Sequence, residues 1–441
     1  DWIIGGPAMA GKGWRMLIEC LGAGRGVSLP ALSTASGAMC YLMVGAYARI
    51  RRQFNMEVGK FEGVQEATAE IASGAYTLEA LRELITRSLE DGTPSVMTAM
   101  AKYHATELMR TLVNHGMDVV GGRGIQLGPR NFLAAGYHAL PVAITVEGAN
   151  ILTRSLMIFG QGAMRCHPYL FDEMQTLEAK EEHEGLRAFE PLLMSHLGHA
   201  GSNFARLLML GLSGAHFSGV PSGADDFSKR WYQRINHLSA ALAICADVAL
   251  GVLGGDLKRR ELLSARLGDL HSQLLIASSL LKFHATQPRS KEADAHAAYA
   301  LQRSLHLAQE ALIAYCANFQ PRALGLALRA LCLPLGRIYP APNDAMVRDL
   351  GDLIMAPNPV RGTLSERVYL SVDPEDAVGR VESTYQMLLA VEKPFVALQK
   401  AWSKGELEAD TLDEALQEAV AKQVIRAEDV EPLREYDARR R

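Results

Sequence analysis

The sequence predicts an all-α protein, and three observations carry that reading. Apolar residues recur at three- and four-residue spacing through most of the 441 residues, the period of one helix face. Alternating apolar and polar runs, the mark of a half-buried strand, are scarce. Between the periodic segments stand Gly, Pro and Asn, which stop helices and form turns.

From the N-terminus the periodic segments fall near 8–22, 32–53, 60–90, 94–120 and 131–165, an array expected to form a helical bundle. The 23 residues from Gly26 to Ala48 carry no charge, which meets the length of a membrane span. Pro30 and STASGAM dilute that stretch, so a helix buried inside a bundle is expected instead. After HPYLFDEM the composition changes: residues 173–190, EMQTLEAKEEHEGLRAFE, are heavily charged, as suits a solvated helix or connector. A second helical set is expected from near 190. It has long helices at about 229–254, 257–285 and 291–318, a Pro-rich passage (PLGRIYPAPNDAM, MAPNPVRG), and helices near 374–402 and 410–436. The expected organisation is a bundle over 8–165, a connector over 166–190 and a helical domain over 191–441.

Composition bounds the function. Hydrophobic residues make up 49% of the chain, which excludes disorder, and a net charge of −4 supplies no general basic field for nucleic acid. Nucleic acid is therefore not an expected partner. Cys20, Cys40, Cys166, Cys245, Cys316 and Cys332 stand singly in apolar surroundings, without CxxC or close Cys/His spacing. They read as reduced core residues rather than disulfides or zinc ligands, a pattern that fits a cytosolic location. Cys166 and His167 are adjacent, but no third ligand can be placed, so a structural role is expected and no metal. The opening DWIIGG has no initiator Met, basic n-region or cleavage motif, and the chain is expected to begin inside a longer protein.

Two glycine motifs invite a nucleotide reading. GPAMAGKG, residues 6–13, nearly matches a phosphate loop, but Gly13 replaces the magnesium-binding hydroxyl and no strand precedes it. A turn entering a helix near Trp14 is the better reading. DVVGGRGIQLG, residues 118–128, contains GGxG after a helix rather than a strand, so on its own it reads as a helix stop. Glu147 is the other conspicuous residue. It follows LPVAITV, and a carboxylate after such a run is costly unless it is used or paired. It could serve as a base, cap a helix beginning at Ala149, or pair with Arg154.

The order of the pieces adds a resemblance. GKGW, a helix with Leu21 and Arg25, IRRQFN, DVVGGRG and VEGANILTR resemble, in that order, the C-terminal helical domain of the acyl-CoA dehydrogenases. The tail, VEGANILTRSLMIFGQGAMRCHPY and then LGGDLKRRELLSARLGD, is similar to the bacterial long-chain fatty-acid-degradation branch with its helical extension. The resemblance implies that residues 1–7 end an upstream β-domain and that an N-terminal helical domain precedes it. It also implies FAD-dependent conversion of medium- or long-chain acyl-CoA to trans-2-enoyl-CoA, with Glu147 as the base that removes the α-proton.

Such a base needs the thioester carbonyl polarised and its own basicity raised by desolvation. By resemblance, the base's own N–H and a ribityl hydroxyl of FAD polarise the carbonyl. Some branches carry the base in the first helix, where this sequence has Gly24; Arg25 matches an Arg that lies near the base. Arg51, Gln53 and Phe54 match the RxQF that reaches the FAD pyrophosphate and adenosine across a subunit boundary. Gly121 and Gly122 match a GG loop at the cofactor, and Gly148 and Ala149 complete an EGT-type motif. The chain departs from the family at Asn55, where glycine is usual, at Asp118, where glutamine is frequent, and at Ala149, which lacks a hydroxyl. Further implications are electron-transfer flavoprotein as electron acceptor, a homodimer, and peripheral membrane association, to which Lys258, Arg259, Arg260, Arg266 and the basic end Arg439 to Arg441 suit anionic lipid. A non-catalytic scaffold and an acyl-CoA oxidase are the alternatives.

Overall fold

The computed structural model describes residues 2–92, 94–162, 166–177 and 181–440, and these are all-α. The only strands among them are the antiparallel pair Arg52–Gln53 and Met56–Glu57. The helices are α1 Gly13–Ile50, α2 Glu62–Ser88, α3 Ser95–Val120, the single turn α4 Gly122–Ile125, α5 Ala134–Thr145 and α6 Asn150–Leu152, which continues as a π-helix, Thr153–Gln161. Next come α7 Leu170–Leu177, α8 Glu182–Leu212, α9 Asp226–Leu253, α10 Glu261–Thr286, α11 Lys291–Asn318 and α12 Arg322–Cys332. The last five are α13 Asp344–Met355, α14 Pro359–Ser365, α15 Ala377–Ser403, α16 Leu412–Ala421 and α17 Val430–Arg440.

Several boundaries differ from expectation. The segments expected at 8–22 and 32–53 form one helix, α1, with Pro30 inside it. Pro30 removes one hydrogen bond and crowds the carbonyl four residues back, which belongs to Gly26. A helix-interior proline costs roughly 3 kcal/mol. Ser33 and Thr34 bond back to the carbonyls of Leu29 and Pro30, and Tyr41, Leu42, Met43 and Val44 are fully buried further on. At about 1.5–3 kcal/mol per buried large side chain, that burial outweighs the proline.

The segment 131–165 breaks instead into α5 and α6, bent by 47°. The segment 410–436 splits into α16 and α17, because Gln423 is left-handed at φ 58° and Val424 N–H donates to the Ala419 carbonyl, a helix-ending turn. The charged connector is helical, as α7 and the start of α8, and α8 begins before residue 190; Glu178 to Lys180 lie outside the described residues. Cys40, Cys245, Cys316 and Cys332 are buried as expected, but Cys20 and Cys166 are exposed rather than in the core.

Internal contacts divide the chain into two interleaved units. The first comprises residues up to Thr34, Ser73–Thr111 and Ala139–Met346. In it the π-helix lies on α10, where a Cβ on Gly268 would meet Ile158 at 3.3 Å and Arg154 forks onto Asp269 at 2.5–3.1 Å. The second comprises Ala35–Ala72, Leu112–His138 and the chain from Val347 onward. Its α15, α16 and α17 share a core of Leu388, Val391, Phe395, Leu416, Leu433 and Tyr436.

Candidate active site

The bend between α5 and α6 is made by two successive left-handed residues, Glu147 at φ 55° and Gly148 at φ 97°. Glycine adopts that conformation freely, whereas a side-chain-bearing residue costs roughly 1–2 kcal/mol there. The strained pair is held from both sides within the first unit. Arg25 Nε donates to the Glu147 carbonyl at 2.9 Å, and Lys102 Nζ donates to the Gly148 carbonyl at 2.8 Å and to Asn150 Oδ1 at 2.7 Å. Asn150 Nδ2 in turn donates to Thr106 Oγ1 at 2.9 Å and to Glu107 Oε1 at 2.8 Å. Both carbonyls of the bend therefore end on cationic side chains.

The Glu147 carboxylate is treated differently. Its Oε2 is buried and has no hydrogen-bond partner. Arg154, the pairing partner considered from sequence, is committed to Asp269. The N-cap residue of α6 is Ala149, which makes no side-chain cap. Among the described residues no backbone acceptor takes the Glu147 N–H. The bend thus presents an unoccupied carboxylate oxygen and an amide donor of the same residue.

Burial lowers the two cations of this cluster. Lys102 is 0% exposed, and desolvation first, then the charge of Arg25, pushes its ammonium down to about 8; Glu147 and Glu107 pull the other way. Desolvation also lowers Arg25, opposed by Glu147. Glu147 and Arg25 were expected from sequence and meet here; Lys102, Asn150, Thr106 and Glu107 were not expected. A signal existed for Lys102: it continues the buried face Thr98, Ala99, Ala101, Ala105, Thr106 of α3 at helical spacing, where a lysine needs a reason. At Gly24 a Cβ would meet nothing within 4 Å, and no carboxylate stands there.

Of the other expected residues, Arg51, Gln53, Phe54, Asp118, Gly121 and Gly122 lie in the second unit and form two groups, whereas Gly148 and Ala149 lie at the bend in the first. Immediately after α1, Arg52–Gln53 and Met56–Glu57 form a hairpin whose turn residues Phe54 and Asn55 have φ of 50° and 62°. Two positive φ values mark the hairpin turn that matches strand twist, and asparagine tolerates it without the usual glycine. Arg52 braces the turn, donating to the Asn55 carbonyl at 2.6 Å and to Glu57 at 3.2 Å. Phe54 is left 92% exposed. Arg51 lines a cavity with Arg123, Arg130, Arg380 and Arg439; desolvation first, then the charges of Arg130, Arg439 and Arg123, lower Arg380 against the pull of Glu375.

At the end of α3, Gly121 at φ 63° donates its N–H to the Met117 carbonyl, so the GG motif is a helix stop. Asp118, Gly121 and Gly122 line a groove of about 810 Å³, and a Cβ on either glycine would meet nothing within 4 Å. Gln53 and Phe54 line neither space. Ala149 is exposed beside the bend.

Residues 164–441 match the family described as acyl-CoA dehydrogenase, C-terminal, bacterial type, and residues 11–158 match acyl-CoA dehydrogenase, C-terminal domain. The chain belongs to the acyl-CoA dehydrogenase family. Over 116 residues it is 34% identical to the short/branched chain specific acyl-CoA dehydrogenase, mitochondrial, of Bos taurus, covering 26% of each chain. A 46-residue match, 56% identical, is to protein HemX of Proteus mirabilis, covering 10% of this chain and 27% of that protein. The chain thus spans about a quarter of the length of these curated relatives. An acyl-CoA dehydrogenase of Bacillus anthracis, solved in complex with FAD, shares the fold at a TM-score of 0.61 and 16% identity, over 78% of this chain and 57% of that one. Within the family, the helices beyond residue 164 belong to the bacterial-type C-terminal model.

Proposed function

We propose that the protein serves FAD-dependent α,β-dehydrogenation of medium- or long-chain acyl-CoA to trans-2-enoyl-CoA, with Glu147 as the base. The observation that carries this reading is the buried, unpartnered Oε2 of Glu147, held on a strained bend by contacts that stop at the main chain. A carboxylate kept free of donors has its lone pair available for a proton on carbon. Its own N–H, likewise without a backbone acceptor, can donate to the thioester oxygen, where negative charge builds as the proton leaves. Arg25 and Lys102 hold the bend through its two carbonyls.

The second unit fits a flavin nucleotide on chemical grounds. Gly121 and Gly122 offer backbone unobstructed by side chains, Phe54 an exposed ring, and Arg51 a fork-shaped donor suited to phosphate. Gln53 and Asp118 complete the proposed set in this unit, and Gly148 and Ala149, at the bend of the first unit, are proposed as cofactor-binding on the EGT-type motif. When bound, the flavin supplies a hydride acceptor for the β-carbon. The domain plan that goes with this reading is a bundle over 8–165, a connector over 166–190 and a helical extension over 191–441.

The reading includes a homodimer, electron-transfer flavoprotein as acceptor, and a cytoplasmic location with peripheral membrane association. Support for the last comes from α9 and the turn after it, Asp226–Lys258, long and apolar enough to cross a membrane, with a third of its most apolar window buried. Exposed Val252 and Leu262 flank the basic run Lys258, Arg259, Arg260. The helix Gly13–Ile50 is also long and apolar enough, with 61% of its most apolar stretch buried.

The test is anaerobic mixing of the flavin-loaded protein with long-chain acyl-CoA. Bleaching of the flavin followed by reoxidation only with electron-transfer flavoprotein is expected. Peroxide release in air without that partner would identify an oxidase, and a protein that takes up no flavin would be a scaffold. A chain-length series of kcat/KM then sets the substrate range.

A further inference from the structure

His167, His196 and Asp247 come from three different places in the first unit: the segment before α7, the middle of α8 and the C-terminal half of α9. One ligand atom from each lies within 4.8 Å of the others. His167 Nε2 is 3.0 Å from Asp247 Oδ1, and His196 Nε2 is 3.8 Å from the same oxygen. The far side of His196 decides its chemistry: Nδ1 is 2.9 Å from Glu173 Oε1. An ionised carboxylate only accepts, so Nδ1 carries a proton, and in the neutral ring Nε2 presents a lone pair to Asp247. Two acceptors thus face each other, and the second Asp247 oxygen, Oδ2, is buried without any partner. A buried carboxylate oxygen left without a donor beside such a half-buried cluster is costly unless something positive meets it.

We propose that His167, His196 and Asp247 bind a divalent cation of the zinc class. Two imidazoles and one carboxylate are a ligand set of borderline softness, and metal–ligand distances near 2 Å put tetrahedral ligand atoms about 3.3 Å apart. The two separations found bracket that value. Glu173 holds His196 in the required tautomer, the outer carboxylate that metal-bound histidines commonly have. Three protein ligands leave a position for water, and a cavity of about 190 Å³ lined by His167, Asp247, His199 and His271 adjoins the cluster. One rearrangement is needed. His167 Nδ1 accepts the amides of Tyr169 and Leu170 at 3.3 and 3.2 Å, so binding at Nε2 moves the ring proton to Nδ1 and releases those two long contacts. The cation would tie the chain that leaves the π-helix to α8 and α9, a cross-link between the connector and the helical extension. The proposal stands apart from the dehydrogenase reading and does not need it.

The experiment uses the 441-residue chain, stripped with chelator and titrated with Co²⁺, whose visible absorption reports low-coordinate nitrogen and oxygen ligation, then with Zn²⁺ in competition. One Co²⁺ per chain, its displacement by Zn²⁺, and a Zn²⁺-dependent rise in Tm are expected. Asp247→Asn and His196→Gln should abolish the absorption band while helical circular dichroism is kept. Should either variant fail to fold, Glu173→Gln leaves every ligand in place and is expected to weaken binding by on the order of 10–100-fold. The absence of saturable binding at one ion per chain overturns the proposal. So does binding that is unchanged in the Asp247 and His196 variants, or in Glu173→Gln.

Discussion

Arg25 donates its Nε–H to the main-chain carbonyl of Glu147 at 2.9 Å and makes no hydrogen bond to that residue's carboxylate. The distinction matters chemically. A guanidinium forked onto the carboxylate would occupy the lone pairs that a base needs, whereas one on the carbonyl fixes a strained residue and still lends its charge. Lys102 does the same one residue on, at the Gly148 carbonyl.

For Glu147→Gln the expected outcome is a folded, flavin-binding protein that binds acyl-CoA and does not reduce its flavin. The amide has nearly the same volume, so stability should change by no more than about 1–2 kcal/mol. The α-proton has no acceptor, and a loss of on the order of 10²–10⁴-fold or more is expected, since no carboxylate stands at Gly24. Single-turnover anaerobic absorbance decides it; reduction at the parent rate would make Glu147 a structural residue.

Arg25→Gln removes the charged hydrogen bond to the Glu147 carbonyl, an interaction of roughly 1.5–3 kcal/mol. Flavin reduction should slow while acyl-CoA affinity stays near the parent value, because Arg25 acts through the bend. Arg25→Lys should recover part of the stability. Denaturant titration alongside stopped-flow reduction checks both; a change confined to KM would argue for a direct substrate contact.

The buried ammonium of Lys102 makes stability depend on pH. In the folded protein it loses its proton near 8, whereas the unfolded chain keeps its proton until about 10.5. Between those values the unfolded state binds more protons, so this residue's contribution to stability rises with pH across that window and is constant below it. Relative to Lys102→Met, the parent protein should therefore gain stability from pH 8 towards 10.5. Denaturant midpoints of the two proteins at a series of pH values measure this, and parallel curves would count against a desolvated ammonium.

Phe54 is exposed on a left-handed turn and packs edge-on to Phe61 at 6.4 Å between ring centroids. Phe54→Ala should leave stability within about 0.5 kcal/mol, as for an ordinary surface change. Flavin should nonetheless be retained less well through gel filtration, read from the visible flavin absorbance per chain. Full retention would remove Phe54 from the cofactor surface.

The helical class, most helix positions and the conspicuous carboxylate were legible in the sequence. Helical periodicity and Gly, Pro and Asn stops are local properties that neighbouring residues carry between them. Local rules failed where a distant contribution outweighed them. Pro30 reads as a break, yet burial along α1 keeps the helix whole, and the bend at Glu147 lies inside what reads as one helical segment. The partners of Glu147 were hidden for a related reason. Arg25 stands 122 residues before it, and Lys102 meets Gly148 across 46 residues. Nor does spacing announce His167, His196 and Asp247, since 80 residues separate the first from the last. By itself, the sequence determined which segments coil and which side chains hold unusual chemistry. Tertiary structure alone decided which carbonyls the buried cations take and which carboxylate oxygens stay free, because a charge removed from water must end on whatever the folded chain brings within hydrogen-bond reach.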